Sequence, residues 1–374
     1  MHIIEGRSGH GSPFAEINRN SGLELTIGFL IVEKVSENPV YSAESKCGIS
    51  FARSIASNER RLNMPNYLKT LGFLSLLFLA PFTARTAFAA PQAGTSNVPV
   101  TTVVTVLGPN YTAPPALGKS DVVVHTGNRR EDVVGWDAAQ GDKSALELAI
   151  VIDDLSNIGN QLDDIRKFIE AQSKSTSVGL FYASNGVTQA VAPFSTDHGA
   201  VAGKVRITTG FPGASTSIYL SLMDVMKKFP SANGRHEILV IADGIDRFRG
   251  DPFSPDVDLT IARAQKAGII IHTLYARGAG REGRNLFRVN YGQSNLAKMT
   301  DETGGESFFQ GLDTPISFSP FLDQLDMVLH NQYFLTFTTP RSAKKGGELR
   351  GFRTSTEQHN VEISHARDVL VPGR

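Results

Sequence analysis

From residue 144 onward, short apolar runs alternate with amphipathic stretches. Leu146–Ile152 (LELAIVI), His236–Ala242 (HEILVIA) and Ile269–Ala276 (IIIHTLYA) are continuous apolar runs, the pattern of strands buried on both faces. Between them the spacing becomes helical. Ile158, Leu162, Ile165 and Ile169 recur on one face, with Asp163, Asp164, Arg166, Lys167 and Glu170 between them. Further helices are predicted over Ser217–Phe229, Pro255–Ala267, Ser294–Thr303 and Pro320–Asn331, with Gly268 and Gly304-Gly305 as stops. Ser177–Ala183 and Thr188–Phe194 flank Asn185-Gly186, a hairpin signal, and Glu306–Gln310 is a short strand. Apolar strands alternating with helices predict an α/β fold: a Rossmann-like, mainly parallel central sheet with helices on both faces.

The flanks have a different texture. Residues 90–143 are rich in Val, Thr, Pro and Gly, and predict a small β module with strands at Val98–Leu107, Asp121–His125 and Arg130–Trp136. The lone Trp136 is expected to pack that module. Residues 332–374 turn β again through Tyr333–Thr339, Gly351–Thr356 and Asn360–His365, around a Lys/Gly turn at Arg341–Gly347. This tail is expected beside the first β module. The chain thus divides into a β module (90–143), an α/β domain (144–331) and a C-terminal β segment (332–374).

Upstream, Leu71–Phe82 (LGFLSLLFLAPF) is an apolar run behind Met64 and Lys69, and it leads into Ala87-Phe88-Ala89. A short positive start, a brief apolar stretch and a small-residue site predict a secretory signal peptide over 64–89, cleaved near Ala89-Ala90. The run is too short to span a bilayer, which takes roughly 20 residues. Residues 1–63 are then an untranslated or disordered extension, with Met64 as the expected start. Cys47, the single cysteine of the 374 residues, lies upstream of the cleavage site, so the mature chain is cysteine-free. That suits an oxidising compartment, periplasmic or extracellular. The 37 Lys+Arg balance 37 Asp+Glu. Zero net charge removes a whole-protein electrostatic case for nucleic acid or an anionic membrane surface, leaving the signal segment as the membrane contact.

In an open parallel sheet, ligands bind beyond the carboxyl ends of the strands. Two predicted strands end in acid, at Asp153-Asp154 and at Asp243-Gly244-Ile245-Asp246, and the loop Gly213–Ser217 brings hydroxyls. Carboxylates with hydroxyls are hard oxygen donors, suited to Mg²⁺ or another divalent cation.

These residues resemble the von Willebrand factor A (VWA) family. There, a strand runs into D-x-S-x-S, a distant Thr precedes a helix, and a later strand ends in D-G, and together they form a metal-ion-dependent adhesion site. Ser215-Thr216-Ser217-Ile218-Tyr219 and Asp243-Gly244 match the later two parts. With its β preface and Tyr-led β tail, the whole mature chain is similar to the exported VWFA-related proteins of acidobacteria. The first motif departs from the pattern. Asp153-Asp154-Leu155-Ser156-Asn157 puts Leu155 at the third position, where it cannot ligate. A slip by one residue keeps Ser156 but ends on Ile158.

The resemblance implies an exported protein-interaction or adhesion module, its cation held by Asp153, Asn157, Thr216 and Asp243, with Asp154, Ser156, Ser215 and Asp246 as lesser candidates. A protein partner would offer an acidic side chain to that cation. Alternatively the site is degenerate, the two Asp residues cap turns and helices, and the domain is a metal-independent scaffold.

Arg277, Arg281, Arg284 and Arg288 crowd a Gly-rich loop that is a second candidate for partner contact. His272, inside an apolar strand, is expected to be a satisfied core histidine. Arg249-Gly250-Asp251 and the sequon Asn110-Tyr111-Thr112 are read as coincidence. No H-E-x-x-H, G-x-S-x-G or phosphate-loop motif is present, so the chain is not expected to be an enzyme. A divalent-metal hydrolase at the Asp cluster is the alternative from that class.

Overall fold

The computed structural model describes residues 96–374 except 212–215, 231–233 and 251–252. The signal segment, the extension before it and Ser215 lie outside the described residues.

The chain opens with β1 (Asn97–Leu107), β2 (Val123–Thr126) and β3 (Arg129–Ala138). The α/β part follows: β4 (Leu146–Asp153), α1 (Leu162–Ala171), β5 (Thr176–Ser184), β6 (Val187–Ser195), α2 (His198–Ala202), α3 (Ile218–Val225), β7 (Arg235–Ala242), α4 (Pro255–Ala267), β8 (Ile269–Tyr275), α5 (Leu286–Thr303), β9 (Ser307–Phe308) and α6 (Ser319–His330). The tail supplies β10 (Gln332–Pro340), β11 (Glu348–Ser355), β12 (Glu362–His365) and β13 (Asp368–Val371).

Six strands form one sheet in the order β6-β5-β4-β7-β8-β9. Counted from β4 as the first, this is the doubly wound order 3-2-1-4-5-6. All pairings are parallel except β5 with β6 at one edge, the hairpin turned by Asn185 and Gly186 with φ of 52° and 75°. The continuous apolar runs divide by the two-residue period of a strand. Leu148, Ile150, Ile152, Leu239 and Ile241 pack against α1, α2 and α6. Ala149, Val151, Ile238, Val240 and Ala242 pack against α3, α4 and α5. These positions are apolar on both sides of the sheet because each face meets a helix layer.

The two β flanks form a single antiparallel sheet, ordered β12-β1-β10-β3-β2-β11-β13. β10 lies between β1 and β3, with Val100 opposite Phe337 and Leu335 opposite Trp136. Val98, Val100, Val104, Val124, Leu335, Phe337 and Phe352 make its core. Trp136 stacks on Tyr333 at 4.7 Å and donates its indole N–H to Leu117 O at 2.9 Å.

Several boundaries differ from the sequence reading. α1 begins at Leu162, after a 3-10 turn over Gly159–Gln161. α5 begins two turns earlier than the apolar pattern suggests, because Leu286 and Phe287 are exposed and interrupt it. Arg288 therefore sits in the first turn of α5, not in a loop. α2 and β13 are too short to leave a pattern.

α4 matches its predicted bounds, and Gly268 beyond it has φ 65° with open space where a side chain would stand. Gly268→Ala is thus a pure test of left-handed backbone. It is expected to cost about 1–2 kcal/mol, read as a lower denaturation midpoint with unchanged slope.

Candidate functional site

The strand order reverses between β4 and β7, the point at which open α/β sheets bind ligands. Asp153 ends β4, and Asp243 follows β7 directly. Each is nearly inaccessible, at 3% and 1%. Both close the same local turn. Asp153 Oδ1 accepts the Leu155 N–H, and Asp243 Oδ1 accepts the Ile245 N–H, both at 3.0 Å. An Asp bonding the backbone two residues on is an Asx turn.

The sequence reading missed Arg247. Its N–H donates to Thr216 O at 2.8 Å, and its side chain turns back under the loop to meet Asp243. Nη1 donates to Asp243 Oδ1 at 3.0 Å and Nη2 to Oδ2 at 2.5 Å. The Gly278 N–H completes the set on Oδ2 at 3.2 Å. Asp243 thus accepts four hydrogen bonds, two on each oxygen. Two glycines make the cage sterically feasible. A Cβ at Gly278 would lie 2.2 Å from Asp243 Oδ2 and 2.5 Å from Arg247 Nη2, and one at Gly244, where φ is 72°, would lie 2.3 Å from Gly292 O. The hydroxyl of Tyr219 holds the same turn by donating to Gly244 O at 2.6 Å.

Two acids beside one guanidinium leave an imbalance. Burial first, then the Asp243 carboxylate, push the Asp153 carboxyl up to about 7, against the pull of Arg247 and the Leu155 N–H. Burial opposes the charge of Arg247, but Asp243, and more distantly Asp153, hold its pKa above the ordinary value.

The remaining candidates separate. Asp154 points away, taking Arg206 Nη1 at 3.0 Å and the Thr209 N–H and hydroxyl at 2.9 Å. Asp246 staples its own loop, accepting from the Phe248 N–H at 3.0 Å and the Ser254 hydroxyl at 2.6 Å. Ser156 is buried and donates to Ile241 O at 3.3 Å. Asn157 is exposed on the lip of a neighbouring cleft, its N–H bonded to Arg277 O at 2.9 Å. Leu155 is core, at 2%. Thr216 Oγ1 is buried and has no hydrogen-bond partner.

These residues do not fit a divalent cation. A metal needs lone pairs on Asp243, and all four of its hydrogen bonds come from internal donors, two of them cationic. Nor do the described residues contain three His, Cys, Asp or Glu grouped to hold a metal ion.

Beside the centre, loops after β4 and β8 enclose a cleft of about 590 Å³, bounded by Ser156, Asn157, Thr208, Gly278, Arg284 and Thr314. Arg277 at its rim pairs with Asp313 and donates to Gly283 O at 2.7 Å. Arg288 pairs with Glu282 at 2.8 Å. Arg281 and Arg284 are exposed and form no ion pair among the described residues.

The doubly wound order, the antiparallel edge strand and the two acids at the switch point make the α/β fold that the resemblance to VWA domains implies. This α/β part is joined to a second, antiparallel sheet. No family model and no curated protein matches the chain. Among solved structures it is similar to an aerotolerance-related membrane protein from Bacteroides fragilis, at 16% identity over 50% of this chain and 98% of that one, with a TM-score of 0.38. It is also similar to the conserved hypothetical protein BatB from Bacteroides thetaiotaomicron, at 14% identity over 49% and 98%, TM-score 0.38. A von Willebrand factor type A protein from Catenulispora acidiphila is similar at 7% identity over 75% of each chain, TM-score 0.36.

Proposed function

We propose that the chain is an exported protein-interaction module that docks a partner at the switch-point cleft without a metal ion. One observation carries this reading: the cleft lies where doubly wound sheets take ligands, and its rim offers Arg284, which no carboxylate among the described residues satisfies. An unpaired guanidinium favours a carboxylate, bound through two parallel hydrogen bonds. The partner then presents Asp or Glu to Arg284 and Arg281, an attraction weakened by salt because both arginines are exposed. Export rests on the apolar run Leu71–Phe82 and the Ala87-Phe88-Ala89 site. No helix among the described residues is long and apolar enough to cross a membrane.

Capture from an envelope extract of the source cells tests the reading. The wild-type protein, immobilised in EDTA, is expected to retain a partner that the double variant Arg281→Glu/Arg284→Glu releases. Retention only with added Mg²⁺ would overturn the metal-free mechanism. Equal retention by the variant would remove the cleft as the docking site.

A further inference from the structure

We infer that Arg247 is the resident cation of the strand-end centre: its guanidinium occupies Asp243 in place of a divalent ion, and its removal opens a cation site. The inference concerns the electrostatics of the centre. It does not depend on the docking reading, and its failure would leave the cleft untouched.

Three observations carry it. Asp243 is 1% exposed and gives both oxygens to the Arg247 fork. A planar guanidinium matches a carboxylate in a way no water or backbone group does, so the pair is a built contact. Arg247 is also held along its length. Its backbone N–H is tied to Thr216 O at 2.8 Å, its Nη1 reaches Ile245 O at 3.3 Å, and Gly278 leaves no spare room beside Nη2. Finally, the oxygen set around it is larger than one arginine requires. Thr216 is 5% exposed and its hydroxyl has no hydrogen-bond partner, although a buried hydroxyl usually finds one. Thr216 also supplies the carbonyl that accepts the Arg247 backbone N–H.

Deleting the guanidinium leaves two buried carboxyl groups without a cation. An uncompensated buried charge is strongly unfavourable. A small hard cation relieves it, since carboxylate and hydroxyl oxygens are the donors Mg²⁺ and Mn²⁺ prefer.

The test uses Mn²⁺ alone, followed by electron paramagnetic resonance and calorimetry on the full chain. Wild type is expected to bind no Mn²⁺ at the centre, and its melting temperature in Mn²⁺ is expected to equal that in EDTA at matched ionic strength. Arg247→Ala is expected to bind one Mn²⁺ per chain, at least about tenfold tighter than any wild-type binding. Arg247→Ala/Asp243→Asn is expected to lose it. If Arg247→Ala does not fold in EDTA, recovery of a cooperative melting transition by Mn²⁺ supports the inference, and no recovery overturns it. Wild-type Mn²⁺ binding abolished by Asp243→Asn overturns it, and so does a folded Arg247→Ala that ignores Mn²⁺.

Discussion

Glu237→Ala is expected to destabilise the protein by about 3–5 kcal/mol, the loss that follows when one partner of a buried charge pair is removed. Glu237 and His272 are fully buried on adjacent parallel strands. The Glu306 N–H donates to His272 Nδ1 at 3.0 Å, so the ring proton sits on Nε2, which donates to Glu237 at 2.7 Å. Gln332 Nε2 reaches the same oxygen at 3.2 Å, and Arg235 Nη1 lies 3.9 Å from the other. Alanine would strand Arg235, His272 and Gln332 together. Glu237→Gln keeps an acceptor for the last two and removes only the charge, so its loss is expected between wild type and Ala. Urea denaturation measures the series. A cost below about 1 kcal/mol for Ala would mean that water or neighbouring side chains replace the carboxylate.

The network also ties the two sheets together. Gln332 opens β10 of the antiparallel sheet and receives Arg235 Nη1 from β7 of the parallel sheet at 2.5 Å. A second Arg235 bond runs to Leu329 O at 2.7 Å, at the end of α6. All of this sits at the amino-terminal ends of the parallel strands. The paired acids, Arg247 and the cleft sit at the carboxyl-terminal ends.

How much of this is legible in the sequence depends on whether a feature is periodic. LELAIVI and HEILVIA name their strands nearly to the residue because both faces are buried and no alternative pattern competes. His272 reads correctly as a satisfied core histidine because an imidazole inside an apolar strand must find partners. The pairing of β1 with β10, by contrast, joins residues more than two hundred positions apart, and nothing local specifies the register. α5 is misjudged at its start because exposed Leu286 and Phe287 break the apolar pattern, and Gly292 lies inside the missed turns. In the fold it is a contact residue, with Asp243 O only 2.2 Å from where its Cβ would stand.

The site was half legible. Leu155 stands out in the first motif because it cannot ligate, and Asp153 and Asp243 lie buried at neighbouring strand ends, as the pattern implies. Arg247 leaves no such signal. It is one arginine five residues past a strand end, and its return to Asp243 depends on the positive φ of Gly244 and on the space that Gly278 leaves from another loop. That is tertiary information. The crowd of arginines at 277–288 drew attention, yet two of them are paired internally, and the arginine at the centre stands outside the crowd.

The second large effect is a pH dependence that Asp153→Asn should remove. The Asp153 carboxyl titrates near 7 in the fold against an ordinary value of 3.8, chiefly through burial and the Asp243 charge. Between these values the folded protein holds a proton that the unfolded chain has released. Stability therefore falls as pH rises from about 4 to about 7, and stays at its lower value above that. The full span corresponds to about 4 kcal/mol. An asparagine in place of Asp153 would still accept the Leu155 N–H through its side-chain oxygen, and would leave Asp243 and Arg247 as a neutral pair. The variant is expected to be the more stable protein at pH 8, with the advantage shrinking towards zero at pH 4. Denaturant midpoints across that range measure both curves. Parallel curves would show that Asp153 remains ionised throughout, and that Arg247 neutralises both carboxylates rather than Asp243 alone.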